Sequence, residues 1–213
     1  MAAAMPVAVP VVGIGVMLAA GRRTVCDGKS ISKVSELRVV LLGSSWSERS
    51  SVGNFILPEC LHFNQFKSEE EPDCIIQRGW LKEKEVVLIN TPDLLLSWRS
   101  NHSLCEACRR LSAPGPHVFL LVLQPEDFTE KHKEKLCRFL ELYSDRSFDH
   151  SLVLLSTPRE QSSAFMRRCL QHPPLKEMIE KCKSRFLWRE TLEPAELLTR
   201  LEEVVEENNG EHV

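Results

Sequence analysis

The sequence predicts an α/β fold: a three-layer, doubly wound, mostly parallel sheet with helices on both faces. Three observations predict it. Short apolar runs at Leu37–Leu42, Val86–Ile89, Val118–Leu123 and Leu152–Leu155 show no polar alternation, the mark of strands covered on both sides. Amphipathic segments of helical length separate them. The first run passes through Gly43 into a serine-rich loop and a further helical segment, a strand–loop–helix unit of the phosphate-binding type.

In chain order, residues 2–20 form a run of 19 without a charged side chain, followed by Arg22-Arg23. That length just reaches a membrane span of about 20 residues. Two readings stay open: a membrane anchor that leaves the body on the cytoplasmic side, or an unstructured leader. Pro6, Pro10, Gly13 and Gly15 weaken a helix and favour the second, with a linker to residue 35. The domain proper then spans 36–210, with 211–213 as a tail. Helices are expected at Ser50–Leu57, Ser97–Leu111, Thr129–Tyr143, twice within Glu160–Lys183, and at Leu192–Glu207. Pro194 sits in the first turn of the last helix and Gly210 just past its end. Phe66–Trp80 reads as a loop entering an edge strand, with Glu69–Glu71 solvated; Cys182–Glu190 holds a last short strand.

Net charge is −3, from 27 basic and 30 acidic residues with no basic stripe, which argues against nucleic acid as a partner. The 8 cysteines fall mostly inside regular elements, so reduced thiols in a cytoplasmic protein are expected. Cys105-x-x-Cys108 reads as helix-face cysteines, not as a metal or redox pair.

The candidate ligand site gathers at the carboxyl ends of the strands. A G-x-x-x-x-G-K-[ST] loop cradles phosphate with backbone N–H groups, lysine and a hydroxyl that holds magnesium. Here Gly43 stands first, Ser44, Ser45, Trp46 and Ser47 follow, Glu48 replaces the second glycine and Arg49 the lysine, Ser50 holds the hydroxyl position, and Ser51 follows as a further candidate. Ser50 is the candidate metal ligand. After the second run, Asn90 and Asp93 occupy the places of an Asp-x-x-Gly turn that serves magnesium and the γ-phosphate. After the fourth, Thr157 and Glu160 stand as a base-reading turn.

Ser50-Ser-Val-Gly53-Asn54-Phe-Ile56-Leu57 resembles the K-S-x-x-G-N-x-I-L signature of the immunity-associated (IMAP, AIG-type) GTPases, a septin-like group of P-loop G domains. Leu111–Gln124, Phe128-Thr129-Glu130, Leu175–Cys182 and Glu207–Gly210 are similar to further family segments, in order and spacing across about residues 36 to 210. The resemblance implies GTP or GDP with Mg2+ as ligands, homo- or hetero-oligomers with related G domains as partners, and a role for His117 near the nucleotide and the dimer face. The switch threonine of the family falls, counting from Phe66, on Ile76. Its guanine-contacting asparagine falls near Arg189 or Glu190.

The substitutions point the other way. A carboxylate at Glu48 about 5 Å from a phosphate, at an effective dielectric near 20, repels one charge by about 3 kcal/mol. Arginine is not interchangeable with lysine in a tight loop. Two functions follow: a G domain that binds GTP weakly and hydrolyses it little or not at all, or a nucleotide-free pseudo-GTPase that pairs with active relatives.

Overall fold

The structure is a computed structural model that describes residues 34–43, 45–59, 74–94 and 101–213, all within a unit of residues 31–213. The expected apolar segment at 2–20, Ser44 and Glu69–Glu71 lie outside the described residues. Among the described residues no helix is long and apolar enough to cross a membrane.

The strands are β1 (Glu36–Gly43), β2 (Ile75–Leu81), β3 (Lys84–Asn90), β4 (Val118–Leu123), β5 (Ser151–Leu155) and β6 (Phe186–Trp188). They form one six-stranded sheet in the order β2-β3-β1-β4-β5-β6. Only β2 runs antiparallel, as the edge partner of β3. The helices are α1 (Trp46–Ile56), α2 (Asn101–Ser112), α3 (Glu130–Tyr143), α4 (Ser163–Gln171), α5 (Pro173–Lys181) and α6 (Pro194–Glu207), with a 3-10 turn at Arg189–Thr191.

The unalternating runs are explained by two cores, one on each face of the sheet. Along β1, Val40 and Leu42 join one core while Leu37, Val39 and Leu41 join the other. The first core is closed by α2, α3 and α5 through Leu104, Leu136, Phe139, Leu140, Leu175 and Met178. The second is closed by α1 and α6 through Val52, Ile56, Leu197, Leu201 and Val204. Each such side chain, fully removed from water, stabilises the fold by about 1.5–3 kcal/mol. Covering both faces is what allows a parallel sheet to be apolar throughout.

Two expectations change. α1 begins at Trp46, four residues before Ser50; the described part of α2 runs Asn101–Ser112, and its expected start at Ser97 lies outside the described residues. Residues 211–213 are not a tail. Val213 N donates to Pro116 O (2.9 Å), Arg146 pairs with Glu211 (2.6 Å), and the His212 ring lies 4.0 Å from that of His117.

Candidate functional site

At the carboxyl end of β1, Gly43 adopts φ 114°, and a Cβ there would lie 2.1 Å from Val122 O. Glycine is required by the approach of β4 as well as by the turn. Beyond it the expected phosphate loop is largely helix. Ser45 caps α1: its side chain accepts from Glu48 N (3.4 Å), and its carbonyl accepts from Glu48 N (3.1 Å) and Arg49 N (3.2 Å). Ser45 Oγ also lies 3.1 Å from Ser47 Oγ. These N–H groups belong to the set that would otherwise receive an anion at a helix N-terminus. Glu48 in the first turn supplies the negative charge that the helix dipole favours there.

Arg49 points inward. It is 0% exposed and the largest fully buried side chain of the domain. Its Nε donates to Asn90 Oδ1 (3.1 Å), Nη1 to Gly43 O (2.9 Å) and Nη2 to Thr91 O (2.8 Å). Burial draws its pKa down to about 10, against the pull of Asp93 and then Glu48, so the guanidinium stays charged at neutral pH. Asn90 Nδ2 donates onward to Ser50 Oγ (3.3 Å), and Thr91 Oγ1 to Leu41 O (2.9 Å). The lysine, hydroxyl and metal-turn positions of a phosphate loop thus form one buried, mutually bonded network. A buried cation held this way is fixed in place, because removing a partner strands the rest.

This network does not suit Mg2+. A magnesium ion needs near-octahedral oxygen ligands and keeps several waters. Ser50 is 1% exposed, its hydroxyl is bonded to the Asn90 amide, and the nearest charge in the network is cationic. Among the described residues no three His, Cys, Asp or Glu side chains converge as metal ligands. Ile76, at the expected switch-threonine position, is a β2 residue packed against the first core.

The remaining expected site residues are dispersed. A cavity of about 290 Å³ beside Gly43 is lined by Ser45, Glu48 and Asp93 together with Leu123, Phe128 and Leu136. Three carboxylates reach it, Glu48, Asp93 and Asp127, the last paired with Arg159 at 2.6 Å. Thr157 and Glu160 lie outside that lining on the exposed turn after β5, where Glu160 accepts from Ser162 Oγ (2.6 Å). Trp46 is half-buried and Ser51 exposed on α1. Arg189 folds over α1, donating to Ser51 O (3.3 Å) with its guanidinium 5.0 Å from the Phe55 ring centroid. Arg189 thus contributes to α1 packing, a role its chain position alone did not signal.

His117 corrects an expectation. It precedes β4, at the amino end of the strand, and β4 rises about 3.3 Å per residue, so it stands about 20 Å from the carboxyl-end site. There it is 2% exposed, accepts from Arg38 N through Nδ1 (3.0 Å) and, through its carbonyl, faces His150 Nδ1 (3.0 Å). Burial, then His212 and Arg38, pushes its pKa down to about 3. These contacts tie its ring and carbonyl into the fold at the amino end of β4.

With this geometry in place, comparison with known proteins decides the lineage. The AIG1 family model matches residues 37–213. The chain belongs to the AIG1 family. It is 26% identical over 192 residues to GTPase IMAP family member 8 of Homo sapiens, covering 84% of this chain and 29% of that protein. The Mus musculus protein of the same name is 26% identical over 156 residues, covering 71% of the chain and 23% of the relative. The chain therefore spans less than a third of the length of these curated relatives. Among solved structures, chloroplast translocon components atToc33 and psToc159 superpose with a TM-score of 0.61 at 16% identity, over 80% of this chain and 83% of theirs. Toc33 from Arabidopsis thaliana in complex with Mg2+ and GMPPNP superposes with a TM-score of 0.59 at 14% identity, over 84% and 88%. At such identities the likeness shows the fold alone, and the chemistry depends on the site.

Proposed function

We propose that this AIG1 domain is a pseudo-GTPase: an interaction module that pairs with related G domains and has little or no GTP binding or hydrolysis of its own. One observation carries the reading. Arg49, at the position of the phosphate-binding lysine, is buried and spends its guanidinium on Asn90, Gly43 and Thr91. Three further features support it. The α1 N-terminus is capped by Ser45, the cavity beside it is reached by Glu48, Asp93 and Asp127, and Ser50 is bonded to an amide in place of a metal. A triphosphate entering this space meets carboxylates where it needs cations. Pairing rests on the family and on the importance of dimerization for the GTPase activity of atToc33 and psToc159, a property of those proteins.

The test is a titration of the full chain with fluorescently labelled GTP and GDP, with and without Mg2+. No saturation into the high micromolar range is expected, and saturable micromolar binding overturns the reading. Sedimentation of the chain with a GTP-loaded family member is expected to show a complex. Two non-interacting species there would remove the pairing half of the proposal.

A further inference from the structure

We propose that Cys74 and Cys108 form an intramolecular redox pair, closing a disulfide when the protein meets a hydroperoxide. The two Sγ atoms lie 3.7 Å apart, although the residues are 34 positions apart in sequence. Cys74 stands immediately before edge strand β2 and is half-buried; Cys108 sits on α2 and is fully buried in the first core. A disulfide needs about 2.05 Å between sulfurs, so the pair must close by less than 2 Å.

The pair is not the C-x-x-C that the sequence displays. Cys105, one turn before Cys108, turns its thiol to Phe139 O (3.4 Å), and Cys137 faces Met178 Sδ (3.9 Å). The two thiols of the proposed pair differ in character. Cys108 is held as a thiol by its hydrogen bond to Cys74 and by burial, whereas Cys74 is half-buried and so the more accessible of the two to a hydroperoxide. Cys74 is accordingly the attacking group. Its thiolate sulfur displaces hydroxide from the O–O bond of hydrogen peroxide, giving Cys74 sulfenic acid, and the hydroxide takes a proton to become water. The Cys108 sulfur then attacks the sulfenic sulfur, the S–H proton leaves with the displaced hydroxyl as a second water, and the S–S bond forms. Two thiols lose two electrons and one peroxide gains them.

The bridge would enclose β2, β3, Asn90, Thr91 and Asp93 in one covalent loop, the same residues that surround Arg49. Oxidation thus acts on the frame of the candidate site, whether or not that site takes nucleotide.

The experiment uses the reduced full chain, treated with a few equivalents of hydrogen peroxide, alkylated, digested without reductant and mapped by mass spectrometry. A Cys74–Cys108 linked peptide, lighter than the two parent peptides by two hydrogens and released by dithiothreitol, is expected. Cys108→Ala should abolish the link and leave a sulfenic acid at Cys74 that dimedone traps; Cys105→Ala should leave the link intact. Should either variant misfold, the wild-type map still decides. Cys74 recovered as an alkylated thiol or as sulfinic acid with no linked peptide, or linked mainly to another cysteine, overturns the proposal.

Discussion

Replacing Arg49 with alanine removes the cation and leaves Gly43 O, Thr91 O and Asn90 Oδ1 facing an emptied interior. Each stranded buried acceptor costs about 1–3 kcal/mol, which bounds the loss at about 3–9 kcal/mol. Water entering from the neighbouring cavity, about 290 Å³ in volume, restores part of this. The net loss is then about 3–5 kcal/mol, the lower part of that range. For a domain of this size that lowers the melting temperature by about 6–20 °C. Urea unfolding followed by tryptophan fluorescence is the assay, read as a lower midpoint at unchanged slope. Arg49→Lys keeps the charge but offers one ammonium in place of a planar fork, so a loss of about half that size is expected. A phosphate-contacting side chain at the mouth of an open loop would behave otherwise, since its removal relieves strain or costs little. An Arg49→Ala protein within about 1 kcal/mol of wild type would therefore refute the account of Arg49 as part of the interior.

Further outcomes follow from the same structure. Gly43→Ala places a methyl 2.1 Å from Val122 O at φ 114° and should destabilise by at least about 3 kcal/mol, measured by the same unfolding; a neutral substitution would mean that β4 does not approach so closely. Stability should fall on mild acidification. His117 has a folded pKa of about 3 against an ordinary 6.5, so the unfolded chain binds the extra proton. The stabilising contribution is complete above pH 6.5 and is lost as pH falls toward 3, about 2 kcal/mol of it by pH 5. His150 and His212, also lowered mainly by burial, act in the same direction, and Arg38 and Lys84 are the cations that face His117. Asp149, Glu177 and Glu211 are lowered too, but they lose their contribution at lower pH, through the carboxylate range. His117→Asn, which keeps an acceptor for Arg38 N, should flatten the slope between pH 7.5 and 5, and an equally steep slope in that variant would clear His117 of the effect.

The sheet was legible because its strands are buried on both faces. An apolar run without alternation has few other uses at that length, and the observed β4 matches the expected Val118–Leu123 at both ends. The start of α1 was also written in the chain, as Ser45-Trp-Ser-Glu48, the S-x-x-E spacing of a helix cap. Gly43 and Ser50 stand at phosphate-loop spacing around it, so the same residues fit a longer-range pattern as well as the local cap. What was not legible was the direction of Arg49. Its acceptors Asn90, at the end of β3, and Thr91, just past it, are 41 and 42 residues away, and no local signal says that an arginine will turn to them. His117 illustrates the converse: a position carried over by resemblance, where placement at a strand start already favoured the structural role it has.

A phosphate loop is an anion receptor assembled from a helix N-terminus, a cation and a metal-binding hydroxyl, and here each component has acquired a partner within the chain. Nucleotide must therefore displace internal bonds before it makes its own. On the proposed pseudo-GTPase reading, repulsion from Glu48 would weaken binding by about 3 kcal/mol, and releasing Arg49 from its acceptors by about 3–5 kcal/mol. If the two act independently, they sum to at least about 6 kcal/mol, a weakening of about 10⁴-fold or more relative to an intact loop. The same sum orders the rescue. Glu48→Gly alone leaves the guanidinium engaged, and Arg49→Lys alone leaves the carboxylate in the mouth of the site. Each single reversion should stay silent in a labelled-GTP titration carried to about 100 μM, while Glu48→Gly with Arg49→Lys should bring saturable binding into range. Full recovery from either single change would show that one residue alone blocks the site, and silence of the pair would place the remaining barrier on the Asn90–Ser50 bond. Asn90→Asp in the paired background then supplies the missing carboxylate, and magnesium-dependent binding is the result that separates a blocked metal site from a lost one.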